Sequence, residues 1–381
     1  GPRESARAIS RLGVEEQNRI LTLLTPEQAA NLLEELPLAQ SNDLIRNLPA
    51  EAAADILSEL PSNESADFLG QLEEAQIEEI LREMDEELAE DARRLVSYPP
   101  DVAGGLMITE YLSFPQRLTT GEVIDALRRG SDEYATYSIQ YTYVVDDQER
   151  LLGVLPLRDL LMTPAGTPIY QIMIKNPLSV RDMDSLEALA EFFDEHDFLG
   201  VPVVNEDAAL VGVLRRRDVR EALGDQAQND YLKSQGIVGG EELRSMPLLT
   251  RSGRRLSWLS ANILLNLFGA AVIAMYQDTL AQVLALAIFI PIISDMSGCA
   301  GNQAVAVSMR ELGLGVIKPV DMFYVWIKEA SLGVINGIVL GFLISLVALL
   351  YEGNVYFGVV VGVALAANTV LAVSIGGLIP L

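Results

Sequence analysis

The sequence predicts a multidomain chain: an all-α helical repeat, a duplicated α/β module, a connecting helix and a polytopic α-helical membrane region. Three observations predict it. Apolar residues recur every 12 positions from Leu12 to Met84, an α/β pattern occurs twice at an offset of 59, and the last third holds four long uncharged stretches. The 381 residues carry 27 Lys+Arg against 53 Asp+Glu, a net charge of −26, and the excess is confined to one end. Residues 251–381 hold six basic and six acidic side chains, leaving 21 basic and 47 acidic in residues 1–250. A body this acidic repels phosphate backbones, which excludes nucleic acid as a partner. One Cys permits no intrachain disulfide, and one His cannot build a His-rich metal site. There is no P-loop, nucleophile-plus-base constellation or zinc spacing, and Gly104-Gly105 is too short for a phosphate cradle, so no enzyme is expected. No signal peptide opens the chain and Gly1-Pro2 reads as a protease scar, so the acidic part is expected in the cytoplasm.

The repeat has three series. Leu12, Leu24, Leu36, Leu48, Leu60, Leu72 and Met84 form the first; Ile20, Leu32, Leu44, Ile56, Phe68 and Ile80 the second; Leu21, Leu33, Ile45, Leu57, Leu69 and Leu81 the third. Pro26, Pro37, Pro49 and Pro61 recur at the seams, where proline suits a first helical turn and stops the previous helix. Each unit is a helix of about two turns, marginal alone, so the units must stack into a coil. Glu34, Glu35, Glu59, Glu73 and Glu74 between these faces read as solvated surface.

In the duplicated module Tyr143-Val144-Val145-Asp146-Asp147 matches Pro202-Val203-Val204-Asn205-Glu206. Likewise Leu151 to Leu155 matches Leu210 to Leu214, and Arg158-Asp159 matches Arg217-Asp218. Each copy reads as strand, acidic turn, strand and helix, preceded by an amphipathic helix at Glu122 to Arg129 or Leu186 to Glu195. The pattern resembles a tandem pair of CBS (cystathionine-β-synthase) domains over about residues 105–224. That resemblance implies a regulatory module for adenosine nucleotides or metal ions, with Tyr141, Arg158, Asp159 and Phe198 as nucleotide-site residues. For Asp159 and Asp218 the competing reading is a helix N-cap, which accepts orphan backbone N–H bonds.

The apolar stretches are Trp258–Gln277, Thr279 to Met309, Leu332–Tyr351 and Gly353–Leu381. About 20 apolar residues cross a hydrocarbon core, and three stretches meet that length directly. The second, interrupted by Pro291, Asp295, Gly298 and Gly301, reads as one bent or broken helix. Arg251, Arg254 and Arg255 precede the first span, and Arg310, Lys318 and Lys328 lie between the second and third. By the positive-inside rule both regions are cytoplasmic. An acid and amides within a span are expensive unless they meet water, an ion or each other. The segment 291–303 therefore carries the candidate lining residues Asp295, Gly298, Cys299, Gly301, Asn302 and Gln303. Oxygen ligands of this kind suit hard cations such as Mg²⁺. Asn262, Asn266, Asn336 and Asn368 read as interhelical hydrogen bonds rather than lining. The uncharged end at Leu381 reads as a chain cut before a further helix.

Taken in order, the parts resemble the MgtE family of magnesium channels and transporters. The match rests on Tyr98-Pro99-Pro100-Asp101-Val102-Ala103-Gly104-Gly105-Leu106-Met107, the CBS pair, and the Pro291-Ile292-Ile293-Ser294-Asp295-Met296 and Gly301-Asn302-Gln303 segments. The resemblance implies a homodimeric, multi-pass protein of the inner (plasma) membrane, with cytoplasmic N-terminal domains and Mg²⁺ as cargo. It also implies closure by intracellular Mg²⁺, with regulatory ligands at Glu59, Glu187, Asp197, Asp218, Glu221 and Asp230. The expected domains are residues 1–97 (helical), 98–165 and 166–224 (CBS), 225–250 (connecting helix) and 251–381 (four spans). Two departures stand out. Ser297-Gly298-Cys299 replaces the family's Gly-Gly-Asn, and Gly224-Asp225-Gln226-Ala227-Gln228-Asn229-Asp230, where relatives carry several acids, holds only Asp225 and Asp230. A thiol in the lining is softer than an amide oxygen, so a transporter of Mn²⁺ or Co²⁺ is one alternative. A membrane-anchored CBS sensor that transports nothing is the other.

Overall fold

A computed structural model describes residues 9, 12, 14–130, 134, 141–234, 236–237, 246, 248–313 and 316–381. It divides into two compact units, Gly1–Trp258 and Leu259–Leu381. Gly1-Pro2, and much of the expected connecting helix (235, 238–245 and 247), lie outside the described residues.

In the first unit seven short helices begin 12 residues apart: α1 Val14–Leu21, α2 Pro26–Glu34, α3 Leu38–Arg46, α4 Ala50–Ser58, α5 Ser62–Leu69, α6 Glu74–Glu83 and α7 Glu86–Val96. Each of the first five packs on the helix two ahead of it, so the coil is built by alternation. Pro26 occupies the first turn of α2 behind a Thr25–Gln28 capping box. Pro37, Pro49 and Pro61 sit one step earlier, as N-caps. The third apolar series is the spine: Leu21, Leu33, Ile45, Leu57, Leu69 and Leu81 are all buried. Leu12, which opens the first series, is 39% exposed.

The turn α8 (Ala103–Leu106) leads into two small sheets. The first contains β1 (Ser113–Pro115), β2 (Tyr141–Val145), β3 (Leu151–Pro156) and β4 (Ile174–Lys175), in that order. The second contains β5 (Val180–Arg181), β6 (Gly200–Val204) and β7 (Leu210–Arg215). In each, the first pairing is parallel and the β2–β3 or β6–β7 hairpin is antiparallel. Helices α9 (Thr120–Arg129) and α10 (Leu157–Met162) belong to the first copy, α11 (Leu186–Glu195) and α12 (Arg216–Ser234) to the second. The two hairpin turns are near-copies. Asp146 Oδ1 accepts from the backbone of Gln148 and Arg150, and Asn205 Oδ1 accepts from Asp207 and Ala209. The tips pair with each other, Leu151 N to Ala208 O at 3.1 Å and Leu210 N to Glu149 O at 3.0 Å. One correction concerns the connecting helix: residues 225–234 continue α12 rather than opening a new element. Gly224 costs about 1 kcal/mol against Ala in a helix interior, too little to end it among good helix formers.

The remaining helices are α13 (Leu248–Met275), α14 (Gln277–Gln282), α15 (Ala285–Gly313), α16 (Met322–Glu352) and α17 (Val355–Leu378). All but α14 are long and apolar enough to cross a membrane. The second span is a single helix, the unbroken of the two expected forms, and only its start is corrected. α15 is continuous over 29 residues, Pro291 included, and Thr279 belongs to the separate α14. A proline removes a single intrahelical bond, and the ladder resumes beyond it. The α16–α17 turn follows from two residues. Gly353 takes φ +70° and returns its N–H to Leu349 O, and Asn354 Oδ1 caps Tyr356 and Phe357.

Candidate functional site

Three places in the chain gather chemistry, and the first is the segment that the sequence reading singled out. That one is α15. Asp295, Gly298, Cys299, Asn302 and Gln303 are all exposed and fall on one helical stripe, while Phe289, Ala304 and Ser308 are buried on the opposite side. The Ser308 hydroxyl donates to Gly377 O on α17 at 2.8 Å. Gly301 sits with the packed side: a Cβ there would lie 3.3 Å from Ala372 O, so its small size serves helix approach. Gly298 has open space around it. Asn368 of α17 donates to Ile293 O at 3.0 Å, an interhelical bond as expected for a lone amide. Because α15 keeps its helical ladder, the groups it offers are side chains rather than freed carbonyls.

The second place is an acidic seam where α5 of the repeat packs on the second CBS copy. Ala66 of α5 is buried in one cluster with Leu186, Leu189, Val203 and Val219. Ser62 fixes the neighbouring edge, its N–H and hydroxyl donating to the Glu110 carboxylate at 2.7 and 2.9 Å. Burial pushes the Glu64 carboxyl up to about 7, helped by Glu34 and Glu221 and opposed by Arg215 and Arg217. Asp67 is likewise pushed up to about 7, first by burial and then by Asp225 and Glu221. Among the described residues no three acidic, His or Cys side chains converge into a ready cage for an ion.

The six residues singled out as regulatory ligands are not brought together. Glu59 is the exposed C-cap of α4. Glu187 opens α11, accepts from Gln226 Nε2 at 3.5 Å, and is held below the usual range by its own backbone N–H and the Ser185 hydroxyl. Asp197 is fully exposed, 3.4 Å from Arg216. Asp218 is buried and committed to Arg215 at 2.5 Å and Arg217 at 3.3 Å. Asp230 pairs with Lys233 at 3.2 Å. Only Glu221 acts on both seam acids, Glu64 and Asp67. Sequence reasoning missed those two, and the repeat hides them: Asp43 and Asp55 hold the position of Asp67 in earlier units, so only the packing of the fifth unit sets it apart. The capping reading is corrected for Asp159, since Pro156 is the N-cap of α10 and no side chain caps it.

The third place is a cleft of about 470 Å³ between the CBS copies, lined by Tyr111, Tyr141 and Tyr143 from the first and Arg215, Arg216, Arg217 and Arg220 from the second. Of the expected nucleotide residues, Tyr141 lines it and Phe198 adjoins its wall at Leu199, whereas Arg158 and Asp159 do not line it. Phe198 stacks on His196 with ring centroids 5.7 Å apart.

These parts define a class: a membrane protein with an acidic helical repeat and a CBS pair ahead of its apolar helices. The chain matches the family described as the MgtE intracellular N domain over residues 1–101, the CBS domain over 102–166 and 169–225, and the divalent cation transporter family over 290–381. It is 32% identical over 295 residues to the magnesium transporter MgtE of Enterococcus faecalis, covering 77% of this chain and 64% of that one. With MgtE of Thermus thermophilus it shares 32% over 297 residues, covering 76% and 64%. The crystal structure of the cytosolic domain of the Mg²⁺ channel MgtE in complex with ATP superposes with a TM-score of 0.53 at 32% identity, covering 58% of this chain and 90% of that one. In its three domain matches, in that order, and in these relatives the chain is similar to MgtE magnesium transporters. It spans about 64% of the length of these curated relatives.

Proposed function

We propose that the chain is the greater part of a homodimeric Mg²⁺ channel or transporter of the plasma membrane, closed by intracellular Mg²⁺ acting on its acidic N-terminal unit. The observation that carries the transport reading is the stripe on α15. An acid, an amide pair and a thiol on one unpartnered face of an apolar helix cost free energy in lipid unless they face water or an ion. Asp295, Asn302 and Gln303 supply the oxygens that a hydrated hard cation prefers. The relatives' names and the divalent cation transporter match support the cargo class.

Closure is an electrostatic argument. Carboxyls held near 7 keep part of their protons at neutral pH, first because burial strips water from the ionised form and then because ionising them crowds negative charge against Glu221 and, for Asp67, Asp225. A divalent cation drawn between these groups replaces the protons and relieves the crowding. The compact state gains in proportion to how much more tightly it holds the ion than the open state does. Adenosine nucleotide at Tyr141, Arg158, Asp159 and Phe198 is the accompanying ligand reading, supported by the ATP complex of the related cytosolic domain.

Cys299 on the same stripe favours a second cargo, a softer divalent ion such as Mn²⁺ or Co²⁺. Uptake into proteoliposomes carrying the native-length protein decides between them. Asn302→Leu is expected to cut Mg²⁺ uptake about tenfold, on the scale of one lost charge-assisted ligand. Uptake of Mn²⁺ in preference to Mg²⁺ makes the softer ion the cargo, and full Mg²⁺ uptake by Asn302→Leu removes the stripe from the pathway.

A further inference from the structure

We propose that Asn368 of α17 is a positioning residue for the cation path, setting which way α15 turns Asp295 and Cys299. This deepens the transport reading and rests on it. Asn368 Nδ2 donates to Ile293 O at 3.0 Å. Ile293 lies two residues beyond Pro291, which has no N–H and leaves the preceding turn of α15 one ladder bond short. Asp295 lies two residues further on. A helix weakened at such a turn can tilt and rotate beyond it, and the amide holds it just past the weak point.

Two more attachments continue this hold along the seam. A Cβ on Gly376 of α17 would run into Gly301 O, and the Ser308 hydroxyl donates to Gly377 O at 2.8 Å. Ile293, Gly301 and Ser308 are eight and seven residues apart, each step close to two helical turns, so all three lie on one face. Asp295 stands two residues from Ile293, and Cys299 two from Gly301, which is roughly 200° around the helix in each case. The stripe therefore faces away from α17 for as long as that face is pinned.

Packing alone does not call for the amide. α16 and α17 associate through Gly337, Gly341, Gly358 and Gly362, with no side-chain hydrogen bond crossing between them among the described residues. Asn368 is the one carboxamide of α17, and a carboxamide within a span costs free energy until it is bonded. Its neighbour Thr369 is fully buried and bonds within its own helix, to Leu365 O at 2.8 Å. Of these two polar neighbours, Asn368 is the one that reaches the helix carrying the stripe.

The test uses proteoliposomes carrying the native-length protein, with two readouts. One is the KM and maximal rate of Mg²⁺ uptake. The other is the rate at which a positively charged methanethiosulfonate labels Cys299, read on its peptide by mass spectrometry. Loss of folded protein lowers the maximal rate alone, whereas a turned stripe alters KM and the labelling. Asn368→Leu is expected to raise KM and to slow labelling about threefold, the population shift that one interhelical hydrogen bond in a membrane carries. Asn368→Gln is expected to restore part of both, and Thr369→Val to leave both unchanged. A parental KM or a parental labelling rate in Asn368→Leu overturns the proposal, whatever the maximal rate does. So does an equal effect of Thr369→Val. A parent that takes up no Mg²⁺ removes the transport reading alone, and the labelling rate then decides whether Asn368 sets the stripe. A parent whose Cys299 is not labelled overturns both.

Discussion

The helical repeat and the α16–α17 pair solve the same problem, helix on helix, with opposite residues. The repeat buries large side chains: Leu33, Ile45, Leu57 and Leu69 are each 1% exposed or less. The membrane pair buries glycine. Gly337 and Gly341 of α16 meet Ala366 and Gly362 of α17 so closely that a Cβ on Gly341 would lie 2.6 Å from Gly362 O. The difference is the solvent. In water a leucine gains by leaving it, whereas lipid is as apolar as a leucine core, so membrane helices gain through close backbone contact instead.

The largest expected effect breaks the glycine side of this comparison. Gly341→Leu places a whole side chain where no Cβ fits, and the α16–α17 hairpin is expected to be lost, read as proteolytic cleavage of the reconstituted chain within the 353–354 turn. Sharper is a matched pair of truncations. Leu57→Ala should cost about 2–5 kcal/mol in denaturant titration of the N-terminal unit, the usual toll of an emptied aqueous core. Leu365→Ala, equally buried at 2% exposure, should cost only about half as much, since the lost contacts are packing without water transfer. Equal costs would dissolve the distinction.

A smaller effect concerns pH. Glu64 and Asp67 bind protons more tightly in the folded unit than in the unfolded chain. The stability they contribute is therefore complete below about pH 4, near the unfolded carboxyl value, and is lost as pH rises through 7. Mg²⁺ competes with those protons, so protection of the N-terminal unit from proteolysis by Mg²⁺ should be several-fold stronger at pH 8 than at pH 6. Protection independent of pH would take these two acids out of the sensor.

How far the sequence could be read followed from how local each signal is. The repeat was legible to the residue because one 12-residue period sets both helix starts and core positions. The CBS pair was legible from its duplicated strands and turn acids, and even Asp146 and Asn205 prove to do the same job in both hairpins. The α15 stripe was legible except for Gly301, whose small size serves packing on α17, a partner invisible from within the span. The seam was not legible. Glu64 and Asp67 look like any surface acids of the repeat, and they become unusual only because α5 is buried against the second CBS copy, beside the acids of α12. Nor was the arginine cleft, because the Met107-Ile108 and Met173-Ile174 segments that close each CBS copy recur at 66 residues rather than 59. Ile108 pairs with Val213 of the second sheet, which carries the first copy's edge to the start of α12.

Cys299 offers the most direct measurement of the central claim, that the α15 stripe faces a watery cation path. It is the chain's one cysteine and lies between Asp295 and Asn302 on that stripe. A positively charged, membrane-impermeant methanethiosulfonate reagent reacts only with thiols that water can ionise. In native membranes the account predicts that Cys299 is labelled, and that millimolar Mg²⁺ slows the labelling. A thiol that stays unmodified by this reagent, yet reacts with a lipid-soluble maleimide, would place the stripe against hydrocarbon and contradict the account.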